Sequence, residues 1–295
     1  MIASIGPNLP QDIFIATGEY AGPVRFDPER TTPRADQWLE SKFAPWAFAV
    51  LEAWADGEYD GLERVVFSRA DDTAHRLYYY ICELQRRGLI GGPEPIVFDV
   101  AKVGRRSSLA RMTDEVRSLA ALLGVRADAL HSAIKASNVQ RRNSRKSSHS
   151  PACLLAGTPL PDKRLHDAIV GTGYSPMGDT LTQSWEDLGQ LVDEEAVDPC
   201  EALALQLHAD PRGPRSTADP AKRLADRIRE CDAQAVVLWR IEEDEAEAWH
   251  LPAQMRILEK SGLPHLVLTR RDWRCRDGAA EEVVSFLKEA NCEAS

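Results

Sequence analysis

Apolar positions along this chain fall into two periods that alternate. The run Val65-Val66-Phe67 is continuous and rich in β-branched residues, and it stops abruptly in Ser68-Arg69-Ala70-Asp71-Asp72. Beyond it Ala74, Leu77, Tyr78, Ile81 and Leu84 recur at the spacing of one helix face. The pattern predicts a buried strand over 64–68 and a helix over 73–87 that stops at Gly88. Asp71 or Asp72 is placed to cap that helix. A second apolar run over 96–100 reads as the next strand. Strand, helix and strand at this spacing form a βαβ unit, which implies a parallel sheet.

The flanking pattern extends this grammar. Residues 7–28 read as a short helix, a glycine turn at Gly18 and a strand through Val24 and Phe26, with a polar loop over 29–37. A helix is expected over 38–54, carrying Trp38, Phe43, Trp46, Phe48 and Trp54. These aromatics form either a core-facing stripe or a platform for a ligand. Residues 107–145 read as two helices: Leu109, Met112, Val116 and Leu119 mark 108–123, and Leu130, Ile134 and Val139 mark 128–141.

A polar, basic stretch over 142–151 then suggests a boundary, with domains at 1–147 and 148–295. The second half shows strands over 152–156, 235–239 and 266–269, with helices over 162–171, 199–208, 220–231, 247–261 and 279–289. Residues 174–195 look irregular around a short strand that precedes Asp179. The expected fold class is α/β: two Rossmann-like open parallel-sheet domains in tandem, with additional helices at 107–145.

Composition narrows the functions open to such a fold. The chain has 295 residues, 43% hydrophobic and 28% charged, which is enough for two cores of a water-soluble protein. Its formal net charge of -10 argues against a nucleic-acid partner, although 141–146 and 270–276 are basic. The first residues lack the basic start and long apolar core of a secretory signal, and no run reaches the roughly 18 apolar residues of a membrane span. The 6 cysteines are scattered, without a Cys-x-x-Cys or a His/Cys pair at metal spacing. They read as reduced thiols of a cytoplasmic protein that holds no metal.

Candidate chemistry gathers where strands end. Ser68, Arg69, Asp71, Asp72 and His75 follow the first central strand. Arg240, Glu242, Glu243 and Asp244 follow the strand that ends at Trp239. If both ends face one cleft, carboxylates and a histidine are available for acid–base work; otherwise they are solvated caps and surface charges. Gly157-Thr158-Pro159 and Gly104-Arg105-Arg106-Ser107 stand where helices begin, so Gly157, Thr158, Arg105 and Arg106 are candidate anion donors. No Walker loop, dinucleotide fingerprint, nucleophile elbow, zincin or kinase signature occurs.

Several of these motifs, in this order, resemble those of the 2-hydroxyacyl-CoA dehydratase and benzoyl-CoA reductase subunit family. Leu9-Pro10-Gln11-Asp12-Ile13 with Thr17-Gly18 and Pro23-Val24-Arg25 is similar to the family's opening segment. Phe43-Ala44-Pro45 resembles its first Cys-Pro, and Ala70-Asp71-Asp72 its second Cys-Asp. Gly157-Thr158-Pro159, the stretch from Gly173 to Asp179, Val236 to Trp239 and Gly262-Leu263-Pro264 resemble later landmarks. Family members ligate an iron–sulfur cluster through three cysteines. Here the first two positions are Ala44 and Ala70, and the third falls in Arg240-Ile241-Glu242-Glu243-Asp244, which has none. Alanine has no lone pair to hold iron, so no cofactor is expected in this chain.

The resemblance therefore implies a D-component-like, non-redox subunit that shapes an acyl-CoA pocket beside a cluster-bearing homologous subunit. Arg105 and Arg106 would suit the phosphates of coenzyme A, present as part of a substrate. The alternatives are a stand-alone, cluster-free lyase-type enzyme on an acyl thioester, or a binding module for another anionic small molecule. A homodimer is also open, because the aromatic helix at 38–54 carries more large apolar side chains than one face readily buries.

Overall fold

Parallel strand pairing builds two four-stranded sheets, each with its own helices. The computed structural model describes residues 1–100, 102–143, 150–211 and 218–293. In chain order the first part runs β1 (Ile2–Ile5), α1 (Gln11–Ala16), β2 (Tyr20–Pro23), α2 (Ala35–Trp38), α3 (Pro45–Ala55), β3 (Arg64–Ser68), α4 (Asp72–Arg86), β4 (Glu94–Phe98), α5 (Arg106–Leu122) and α6 (Ala127–Asn143). It continues with β5 (Ala152–Gly157), α7 (Arg164–Val170), β6 (Ser175–Met177), α8 (Leu181–Glu186), α9 (Pro199–Ala209) and α10 (Pro220–Glu230). The last elements are β7 (Ala233–Ile241), a 3₁₀ turn at Glu245–His250, α11 (Leu251–Ser261), β8 (His265–Arg271) and α12 (Ala279–Glu293).

The sheet orders are β2-β1-β3-β4 and β6-β5-β7-β8, and every pairing is parallel. Two Rossmann-like α/β units in tandem are thus present. Both place the first strand between the second and the third, so both reverse direction between the first and third strands. Ligands of open α/β sheets sit outside the carboxyl ends of the strands at such a reversal.

Four features depart from the sequence pattern. Ile2–Ile5, given no element above, is an inner strand, and all four of its residues are buried. A strand covered on both faces shows no alternation, and four residues make too short a run to stand out. The helix expected over 38–54 is broken. The chain turns after Trp38 and restarts with Pro45 at the head of α3, because Ala44 is extended at φ -59°, ψ 142°. Proline suits the first helical position and drives the residue before it out of the helical region. The strand expected through 24–26 lies earlier, at Tyr20–Pro23. The helix expected over 247–261 begins as a 3₁₀ turn and becomes α-helical at Leu251.

The aromatics of 38–54 belong to the core. Phe43, Trp46 and Trp54 are buried, Trp38 and Phe48 are half-buried, and Trp54 Nε1 donates to the Gly91 carbonyl at 2.9 Å. The apolar surplus that argued for pairing through this helix is therefore absent there.

The chain forms two compact units: Met1–Lys146 with Ser184–Thr217, and Ser147–Gln183 with Ala218–Ser295. The expected domains 1–147 and 148–295 differ from these by one segment, which returns to the first unit. Residues 144–149, where the boundary was expected, and the loop at 212–217 lie outside the described residues. The segment returns because its apolar side chains complete the first core. Leu203 and Leu207 of α9 pack with Met112, Val116 and Leu119 of α5 and with Leu130 and Ile134 of α6.

Polar side chains then pin its backbone. Arg141 Nε donates to the Leu188 carbonyl at 3.1 Å, and Asn138 Nδ2 to the Val192 carbonyl at 2.8 Å. Gln11 Nε2 reaches the Trp185 carbonyl at 2.5 Å. Arg141 is itself held by both carboxylate oxygens of Asp12, at 3.0 and 2.5 Å. These two side chains are 2% and 1% exposed. Removing one partner strands the other charge in the core, which costs about 3 to 5 kcal/mol. Asp12→Ala and Arg141→Ala should each lower the unfolding free energy of the first unit by that order. Their double variant should lose much less than the sum, which a double-mutant cycle in urea unfolding measures.

Candidate functional site

In the first unit the strand reversal falls between β1 and β3. Gly6 follows β1 with φ 95°, and a Cβ there would lie 2.8 Å from the Ser68 Cβ. Only glycine allows both this conformation and this close approach. Ser68, expected at the site, is fully buried and its Oγ accepts the Ala70 amide at 3.0 Å, so it shapes the turn. Asp71 caps α4 by accepting the Ala74 amide at 2.7 Å, and Asp72 occupies the first helical position, where the helix dipole favours an anion. His75 lies edge-on to Tyr79, with ring centroids 5.2 Å apart.

Arg69 is the expected residue that the structure places most usefully. Its amide donates to the Phe98 carbonyl, tying the end of β3 to β4, and its Nη1 donates to Asp99 Oδ2 at 2.7 Å. Arg111, from the second turn of α5, donates Nη2 to the same oxygen at 2.8 Å. Two guanidiniums thus converge on one carboxylate that is 17% exposed. Arg105 and Arg106 open the same helix and are exposed. Close by in sequence, Lys102 is buried and its Nζ donates to the Asp210 carbonyl at 3.0 Å. Sequence reasoning missed Asp99, Lys102 and Arg111. The signal available was a carboxylate directly after a strand with an arginine one helical turn beyond Arg106.

Ala44, at the start of α3, and Ala70, just before α4, stand near the head of α4. The Ala44 amide donates to Thr73 Oγ1 at 3.3 Å. Ala70 has no exposed surface, and it belongs to the same apolar core as Leu9, Val100 and Met112.

In the second unit the reversal falls between β5 and β7, and the two strand ends are laced together. Gly157 has φ 108°, and a Cβ there would lie 1.8 Å from the Trp239 carbonyl oxygen. The Thr158 amide donates to that same carbonyl at 2.9 Å, and the Thr158 hydroxyl pairs with Asp244. The Gly157-Thr158 turn expected to offer an amide to an anion therefore spends the Thr158 amide on the neighbouring strand, β7. The carboxylate held at this turn is Asp244, while Glu242 is exposed. Burial raises the Asp244 pKa, and the hydrogen bond from Thr158 and the charge of Arg240 oppose it. Glu243 is exposed, yet partial desolvation of its carboxyl and the neighbouring carboxylates of Glu242, Asp244 and Asp272 raise its pKa as well. Arg240 is buried on β7, and its Nη2 reaches Gln254 Oε1 at 3.0 Å and Glu247 Oε2 at 3.1 Å.

Arg69, Asp71, Asp72 and His75 belong to the first unit and Glu242 to the second. Among the described residues no group of three or more His, Cys, Asp or Glu side chains is arranged to hold a metal ion. No helix among them is long and apolar enough to cross a membrane.

Two measurements check this local reading. Asp71→Ala removes the side chain that caps α4 and should cost about 1 kcal/mol in thermal or urea unfolding. A carboxyl whose folded pKa is raised holds its proton more tightly folded than unfolded, so its contribution to stability falls as pH climbs above the usual aspartate range. Urea midpoints of the wild type should therefore decline more steeply over that window than those of Asp244→Asn.

Compared with known proteins, the chain matches no family model and no curated protein. Among solved structures it aligns with the periplasmic heme-binding protein BhuT in complex with two hemes, over 98% of each chain, at 14% identity and a TM-score of 0.25. A likeness at that score carries no argument.

Proposed function

We propose that this chain is a non-redox, dehydratase-like subunit that binds an acyl-CoA at the carboxyl edge of its first sheet. The observation that carries this reading is the convergence of Arg69 and Arg111 on Asp99, with Arg105 and Arg106 exposed at the start of the helix bearing Arg111. Arginine's planar fork suits phosphate oxygens, and a helix N-terminus adds amide donors and a favourable dipole. A pyrophosphate and a 3′-phosphate are the groups of coenzyme A that need such cations, and the thioester would then extend from them. The sequence resemblance supplies the substrate class. Alanine at 44 and 70, with Ala70 packed in the core, leaves the chain without family-type cluster ligands there. Its chemistry would then depend on a cluster-bearing partner subunit. The six cysteines are free, in keeping with a reducing, cytoplasmic setting.

A second reading is a cluster-free lyase acting on an acyl thioester, favoured by one observation. Desolvation raises the Asp244 pKa in spite of the hydrogen bond it accepts from Thr158, and a raised carboxyl pKa is what a general acid requires. Dehydration of a 2-hydroxyacyl-CoA by the isolated chain, lost in Asp244→Asn, would select it over the subunit reading.

Titration calorimetry with coenzyme A and with butyryl-CoA tests the main reading. Both should bind, and dephospho-coenzyme A more weakly. Arg105→Ala with Arg106→Ala should weaken binding by about tenfold or more, the loss of roughly 1.4 kcal/mol of charge-assisted contact. Absence of heat with both coenzyme A and butyryl-CoA at millimolar concentration rejects it.

A further inference from the structure

Three exposed apolar side chains of the first unit come together on α9 and the segment before it. Leu191 is 53% exposed, Leu205 47% and Val197 100%. They line a groove of about 480 Å³ whose rim carries Asp193, Asp198 and Glu201. The floor is fixed from below. Leu203 and Leu207, on the other face of α9, are buried in the core, and Asn138 holds the backbone of Val192 from both sides, by its amide and its carbonyl. Asp198 caps α9 and is paired with Arg117 Nη2 at 2.6 Å. Asp193 accepts the Glu195 amide, and neither it nor Glu201 has a cation beside it among the described residues.

Apolar side chains gathered in a groove and rimmed by polar residues form a surface that an interaction partner can cover. Charge decides between two occupants. A symmetric pair of identical chains sets one patch against its own copy, so the rim carboxylates would face carboxylates. The chain's net charge of -10 adds to that repulsion. A cationic partner reverses both terms. We propose that this groove receives a cationic amphipathic helix from another protein chain. Its apolar side chains, at i, i+3 or i+4 and i+7, fill the space between Leu191, Val197 and Leu205. Its lysines or arginines meet Asp193 and Glu201. This goes beyond the acyl-CoA reading and stands whether or not that reading does.

The probe is a fluorescein-labelled helical peptide of about 14 residues built from leucine and lysine at heptad spacing, with a leucine–glutamate peptide of the same pattern as control. Fluorescence polarisation with the full chain should show saturable binding of one lysine peptide per chain, weakening with salt, and none of the glutamate peptide. The triple variant Leu191→Ser, Val197→Ser, Leu205→Ser should weaken binding by about tenfold or more while the circular dichroism spectrum is unchanged. Glu201→Lys should weaken it on its own, by about threefold to tenfold. Equal affinity of the triple variant for the lysine peptide would mean general attraction to an acidic protein, and overturns the proposal. So would tight binding of the glutamate peptide, or sedimentation showing self-association that the triple variant abolishes.

Discussion

A single ion pair, sealed from water, decides how this chain divides. Asp12 and Arg141 come from the first and the last helix of the initial 143 residues, and neither side chain meets solvent. A charge in such a place is tolerable only when its hydrogen-bonding capacity is filled. Asp12 supplies two acceptors, and the Leu188 carbonyl and Asn138 supply the rest. The segment containing Leu188 is therefore part of the solution to the burial problem. Without it Arg141 would keep unsatisfied donors in the core, and α5 and α6 would expose the apolar faces that α9 covers.

The same arithmetic of charge separates the two sheet edges. In the first unit three charged side chains, from the ends of β3 and β4 and from α5, meet at one edge, with a surplus of guanidinium over carboxylate. In the second unit the corresponding turn is closed on itself by Thr158. Two copies of one strand order thus carry opposite chemistry: a cationic edge in one, and a protected, protonation-prone carboxyl in the other.

Much of this was legible in residue spacing, and what was not has identifiable causes. The strand at Arg64–Ser68 and the capped helix after it follow from a β-branched run and an Asp, both local signals. Both central βαβ patterns followed likewise, as did the parallel sheets. Ile2–Ile5 was invisible because a strand buried on both faces has no alternation to read. The return of α9 to the first unit was invisible because it depends on Arg141 and Asn138 meeting backbone carbonyls some fifty residues on, and carbonyls have no sequence signature. Of the candidate site, Arg69 and the cap at Asp71 were readable. The pairing of Arg69 with Arg111 through Asp99 was not, since it joins three elements. At the second turn the sequence offered Glu242, Glu243 and Asp244 alike, and the half-buried one is Asp244, because periodicity does not say which of three adjacent acids folds inward.

The discontinuous first unit has a consequence for the chain as it leaves the ribosome. Domains generally fold as they emerge, the amino-terminal one first. Here that order is interrupted, because α9 is synthesised after β5, α7 and β6 of the other unit. Until the segment from Leu188 through α9 appears, Arg141 lacks its carbonyl partner and the faces of α5 and α6 remain uncovered. The nascent chain must therefore carry an open, apolar helical layer while a strand of the second sheet is already available to pair. That interval is when a chaperone is needed most.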